Sequence, residues 1–313
     1  MNTRRQLIKA LGAAPLALGA TSLLLGLSGR VGAQTGFVAT ELGNGLTLIQ
    51  GAGSNVVVAE GPDSVVIVNG GSEDKSDALL TEIKRLTNNK PVSALFNTNW
   101  RPEHAGLNHL LGPAGTPVLA HENSRLWQNA DFYVEWQDTH YTPMPKAAQA
   151  NKTFYQNGSL QLGSETIEYG IVSQCNTDGD IYVHFKNADV LVVGDMLGAE
   201  SWLMLDYVTG GWINGAQKST KGLLDRSTDA TKVIASAGGV LGKVQLQEQD
   251  AMLTVAYDAV AKAYQTGRSL EQFKETDPMK DYRAKFGDPD LFLALLYKGT
   301  WYHVPGRAVR NII

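Results

Sequence analysis

Short runs of valine, isoleucine and leucine, broken by glycine and proline and followed by amphipathic helices, recur in two similar halves of this chain. A half-apolar strand set must bury one face, and an amphipathic helix must bury one stripe. The arrangement that serves both halves is a pair of sheets packed together with helices outside. Periodicity alone leaves both α/β and α+β open.

In the first half, residues 37–48, 55–59 and 64–69 read as an antiparallel meander. A helix over 74–87 places Ala78, Leu79, Ile83 and Leu86 on one face. The strand 92–96, a polar loop, a helix through Leu111, the strand 117–120 and a helix over 122–129 follow. Residues 130–150 are irregular and aromatic, with Phe132, Tyr133, Trp136, His140 and Tyr141. In the second half, strands cover about 152–194, a helix 215–228, a short strand 232–235 and a long amphipathic helix 244–264. Asp288 and Pro289 open a last helix carrying Leu291, Phe292, Leu295 and Leu296.

Residues 1–33 read as an address rather than as fold. Thr3-Arg4-Arg5-Gln6-Leu7-Ile8-Lys9 resembles a twin-arginine export signal, an apolar stretch follows, and Val31-Gly32-Ala33 offers a cleavage site. The rival reading is a membrane anchor, because the apolar stretch nearly reaches the ~20 residues that a span needs. Its glycines and alanines, the paired arginines and the cleavage site favour the signal. The expected product is one periplasmic domain, 34–313, that does not span a membrane. Losing Arg4, Arg5, Lys9 and Arg30 leaves 23 basic against 31 acidic residues, a formal charge of −8 that argues against nucleic acid and anionic membranes. With one cysteine, Cys175, there is no intramolecular disulfide, and stability must come from the core.

Four motifs occur in order: Asn97-Thr98-Asn99-Trp100-Arg101-Pro102-Glu103-His104, then Cys175-Asn176-Thr177-Asp178-Gly179-Asp180, then Val192-Val193-Gly194-Asp195, then Ala235-Ser236-Ala237-Gly238. Together they resemble the metallo-β-lactamase superfamily, whose first motif is His-x-His-x-Asp-His. The resemblance runs from Phe37 to about Trp301 and implies a four-layer αββα sandwich with a cleft at the motif loops. Phe286-Gly287-Asp288-Pro289-Asp290 is similar to a subset of exported members. By that resemblance Asn99, Arg101 and Asn176 stand at histidine positions, Glu103 at the aspartate, and Ala237 at the last histidine. His104 and Asp195 are retained.

The family's zinc sites need imidazoles and carboxylates converging at about 2.0–2.2 Å. Asparagine is a poor zinc ligand, and a guanidinium is permanently protonated and repels a metal. No metal is therefore expected at the first site. Glu103, His104 and Asp195 leave open a single divalent ion, zinc, iron or manganese, at the second. The preferred expectation is no cofactor, with Arg101 supplying the charge that Asp195 and Glu103 would otherwise lack. Glu103, His104, Arg101 and Asp195 are the candidate catalytic residues, with Glu103 or His104 as general base if no metal activates water.

Asn99, Trp100, Asn176, Cys175, Trp136 and His140 are the candidate ligand-binding residues. Cys175 reads either as a reactive thiol or, preferably, as a small buried residue. His109, His121 and His184 read as packing residues, and the aromatic segment as a cleft wall, a plug or a dimer contact. Three functions stay open: a cleft that binds or transforms a small organic molecule without the dizinc centre, a mononuclear hydrolase of an ester, lactone, thioester or amide, and a periplasmic interaction protein. Homo-oligomerisation is open too.

Overall fold

Strict alternation decides which way each strand of this molecule faces. The computed structural model describes residues 29–31, 36–199 and 201–301. Residues 1–28 of the expected export signal, with Gly32 and Ala33 of its cleavage site, lie outside the described residues, while 29–31 are described as a strand. The first half supplies β1 (Gly29–Val31), β2 (Val38–Gly43), β3 (Leu46–Gln50), β4 (Val56–Glu60), β5 (Val65–Val68), α1 (Ser76–Leu86), β6 (Val92–Phe96), α2 (Pro102–Ala105), α3 (Asn108–Leu111), β7 (Val118–His121), α4 (Glu122–Gln128), β8 (Phe132–Val134), β9 (Thr139–Tyr141) and β10 (Lys152–Phe154). The second supplies β11 (Gly158–Leu162), β12 (Glu165–Ile171), β13 (Ile181–Phe185), β14 (Val190–Gly194), α5 (Ile213–Asp225), β15 (Lys232–Ala235), α6 (Lys243–Gln265), α7 (Leu270–Glu275), α8 (Arg283–Phe286) and α9 (Asp290–Trp301).

One sheet has eight strands in the order β1-β2-β3-β4-β5-β6-β7-β10, and the other has five in the order β11-β12-β13-β14-β15. The first is antiparallel as far as β5 and parallel from β5 through β10, with α1 carrying the chain across from β5 to β6. In β5, Val66 and Val68 face the second sheet, where Ile181, Val183, Phe185, Val190, Val192 and Ile234 meet them. Val65 and Ile67 face outward onto Leu79 and Ile83 of α1 and Leu107. On the far side, Leu191 and Val193 of β14 and Val233 and Ala235 of β15 pack against α5, α6 and α9. Three apolar layers between four structural layers make the αββα sandwich. Among the described residues no helix is long and apolar enough to cross a membrane.

Four local expectations change. The run 37–48 is a hairpin, because Gly43, Asn44 and Gly45 take φ of 90°, 50° and 76° in succession and turn the chain. The helix after the motif loop splits into α2 and α3. Gly106 between them donates to the Gly71 carbonyl at 2.7 Å, so the chain passes backbone against backbone. The segment 130–150 contains a small hairpin, β8–β9, that joins neither sheet. Ala78 of α1 is exposed, while Leu79 and Ile83 are buried.

Candidate functional site

The motif loop leaves β6 at the end of the sandwich and is fixed from below before it reaches any chemistry. Asn97 and Asn108 exchange side-chain hydrogen bonds of 3.0 and 2.8 Å, and Asn97 also donates to the His104 carbonyl at 3.1 Å. Asn69 holds the next residue, its Oδ1 accepting from the Thr98 amide and hydroxyl at 3.0 and 2.9 Å. Asp195 arrives from the second sheet, one residue past Gly194. That glycine has φ of 55°, and a Cβ there would lie 2.4 Å from Thr98 Oγ1. Glycine is therefore what lets the two loops meet.

Two linked clusters result. In the first, Asp195 Oδ2 accepts from Asn99 Nδ2 at 2.8 Å and lies 2.8 Å from His104 Nε2. Ser236 bonds the same carboxylate. In the second, Arg101 Nη2 donates to Asp206 Oδ2 at 3.0 Å and its Nε to Asn176 Oδ1 at 3.4 Å, while its Nε stands 3.9 Å from Asp195 Oδ2. Asp206 is wholly buried and also accepts from Trp136 Nε1 at 2.9 Å and Thr209 Oγ1 at 2.8 Å. The guanidinium lies between two indoles, 5.1 Å from the Trp100 centroid and 5.6 Å from that of Trp136. Cation–π attraction and two carboxylates thus offset the cost of burying this charge.

Electrostatics follow the geometry. Burial works to raise the Asp195 pKa, but the charge and hydrogen bond of His104, with Arg101 and Ser236, hold it well below the usual carboxylate range. Burial works to lower the His104 pKa, but Asp195 and Glu103 raise it above the ordinary imidazole value. Together these favour imidazolium and carboxylate as the resting pair. Asp180, beneath the site, is pushed up to about 7 by burial, against the Thr177 amide and hydroxyl that donate to it.

His104, Asp195, Asn99, Arg101, Asn176, Trp100 and Trp136 all come together here. Glu103 is partly exposed, and its carboxylate makes no hydrogen bond or ion pair among the described residues. His140 does not reach the cleft: in β9 it stands beside Tyr133 and bonds Asp131 at 2.6 Å, while its neighbour Tyr141 packs on Trp100. Cys175 is fully buried, and burial pushes its thiol well above the usual range, as suits packing rather than reactivity. Ala237 is exposed.

Sequence reasoning missed Asp206 and Ser236. Asp206 does close an apolar run, Trp202-Leu203-Met204-Leu205, where a lone acid signals a partner. Ser236 stands beside Ala237 in the fourth motif, and its residue type and spacing carry no signal of a role.

The fold's usual zinc group does not fit these residues. A guanidinium takes the place of one imidazole, the oxygen it faces at Asn176 is a weak donor, and the two groups suited to ligation, His104 Nε2 and Asp195 Oδ2, are bonded to each other. Among the described residues no three His, Cys, Asp or Glu side chains are grouped so as to hold a metal ion.

The profile of the metallo-beta-lactamase superfamily matches residues 49–237, more than half of the chain. No curated protein matches it. Among solved structures the chain is similar to a metallo-beta-lactamase from Pontibacter korlensis, at 16% identity and a TM-score of 0.52 over 73% of this chain and 99% of that one. It is similar to TMB-1, at 16% identity and 0.56 over 71% and 98%. It is also similar to DIM-1 metallo-beta-lactamase, at 16% identity and 0.53 over 74% and 98%. Likeness at this identity bears on the fold.

Proposed function

The chain belongs to the metallo-beta-lactamase superfamily, and from that premise we propose that its cleft binds or transforms a small organic molecule without a dinuclear metal centre. The observation that carries this reading is the buried Arg101 guanidinium, held by Asp206 and Asn176 at 3.0 and 3.4 Å. It supplies fixed positive charge where the fold's relatives need imidazole ligands. Asp195 and His104 then serve as a preorganised ion pair rather than as ligands.

The pair sets the chemistry available. His104, fully buried and tied to Asp195 through Nε2, holds that carboxylate in place rather than meeting a bound molecule. The neighbouring Glu103 has a partly exposed carboxylate that no described residue bonds, and we assign to it the acceptance of a proton from a bound molecule. Solvent reaches Asp195, whose side chain is 20% exposed, whereas that of Arg101 is 5% exposed. A ligand therefore meets the carboxylates first. The paired arginines and the apolar stretch after them support export of the folded protein to the periplasm.

Metal content tests the reading. Protein purified from the periplasm without chelator should carry far less than one equivalent of zinc, iron or manganese by elemental mass spectrometry. One equivalent, lost on His104→Ala, would overturn it in favour of a mononuclear hydrolase. Small molecules found by thermal-shift screening should lose their effect in Glu103→Gln.

A further inference from the structure

The β8–β9 hairpin covers the deepest part of the site, yet little of it belongs to the core. Of its residues 132–141 only Val134 is buried. The hairpin pairs with neither sheet. Its underside touches the motif loop through Phe132 and Tyr141, whose rings meet Trp100 edge-on at 5.1 and 4.9 Å.

What holds the hairpin down is concentrated at its tip. Trp136 Nε1 donates to Asp206 Oδ1 at 2.9 Å. The next-door Glu135 accepts from the Tyr207 hydroxyl at 2.8 Å and from Lys298 Nζ at 3.1 Å. These partners lie on the 206–209 turn and on α9, both in the second half of the molecule. These polar ties are local and separate from the hairpin's own strand pairing, and they add to the ring contacts of Phe132 with Trp100 and Trp127. Segments with few buried apolar contacts and exposed hydrogen bonds open at much lower free energy than the sheets beside them.

Beneath lie Trp100 and Arg101, 2% and 4% exposed, and the Trp100 Nε1–H is buried without a partner among the described residues. A buried orphan donor is costly where water cannot reach it, and opening the hairpin would relieve that cost. We propose that the β8–β9 hairpin is a lid over the Trp100–Arg101 floor, latched at its tip by Asp206, Tyr207 and Lys298. The lid rests on the proposed cleft function only for what it admits, since its opening is measurable with no ligand present.

Hydrogen exchange by mass spectrometry on the full mature chain tests it. Peptides covering 131–141 should exchange at least about tenfold faster than those of β13 and β14, as expected where local opening precedes global opening. Trp136→Phe keeps a ring over Arg101 but removes the N–H donor, and Glu135→Gln weakens the tie to Lys298. Each should speed exchange in 131–141 several-fold and leave β13 and β14 unchanged. Protection of 131–141 equal to that of the sheets, or an equal change in every peptide, would overturn the lid. Metal content leaves this result untouched, so failure of the lid and failure of the metal-free reading are separable.

Discussion

Arg101 carries a charge that no pH removes, and burying it commits its neighbours. Truncating one partner of a buried ion pair costs about 3–5 kcal/mol, because the other charge stays behind without water. Arg101→Met should lose stability of that order, or roughly 10 °C in Tm at about 2–4 °C per kcal/mol. Adding Asp206→Asn removes the stranded carboxylate, so the double variant should lose clearly less than the sum of the singles. Additive losses in urea denaturation would mean that the two residues do not act as a pair.

Asp180 gives a pH dependence of definite sign. Its folded pKa, about 7, stands above its usual 3.8, so the folded state binds the extra proton between those values. Stability contributed there falls as pH rises from about 4 to 7. His104, also raised, adds a contribution present below its ordinary value and lost as pH climbs through the raised one. Asp195, lowered, loses its contribution only in strong acid. The expected outcome is a higher Tm at pH 5 than at pH 8, with a shallower decline in Asp180→Asn. At this scale the sequence named Arg101 and Asn176, and the fold sets them beside each other at 3.4 Å. It was silent on pairing, since Asp206 lies 105 residues from Arg101 and only the fold brings them together.

Among the elements, α6 does more than cover a sheet. Its Gln249 is buried, accepts from the Gly198 amide at 3.0 Å and donates to the Met196 carbonyl at 2.7 Å. This fixes the loop that presents Asp195. Gln249→Leu takes the partner from the Gly198 amide and leaves the Met196 carbonyl only the Cys175 Sγ contact at 3.9 Å, at a total cost of about 1–3 kcal/mol. A denaturation midpoint equal to that of the native chain would show that water replaces the amide. The helix itself was plain in the sequence, expected over 244–264 and found at Lys243–Gln265, because Leu246, Leu253 and Val260 keep period over many turns. The β8–β9 hairpin was not plain: strands of three residues, each with a single exposed one, present too short a pattern for alternation to register.

Across the whole molecule, the two-sheet architecture was the most legible property, since each half repeats strands and then a helix. The αββα layering came from the resemblance of four motifs, and the profile match and the three apolar layers agree with it. The proposed export is tested on the whole chain too. Changing Arg4 and Arg5 to lysine should leave the protein in the cytoplasm, and native protein from the periplasm should begin near residue 34 by intact mass. Periplasmic protein retaining residues 1–33 would return the membrane-anchor reading.

The Arg101–Asp206 contact joins a loop of one half to a turn of the other, and it has a bearing on ancestry. From arginine at position 101 and a buried acid at 206, neither order of single replacement back to histidine and a neutral residue escapes a cost. Restoring histidine first would strand the acid, and removing the acid first would strand the guanidinium. Each route passes through an intermediate less stable than either end, so the substitution acts as a ratchet.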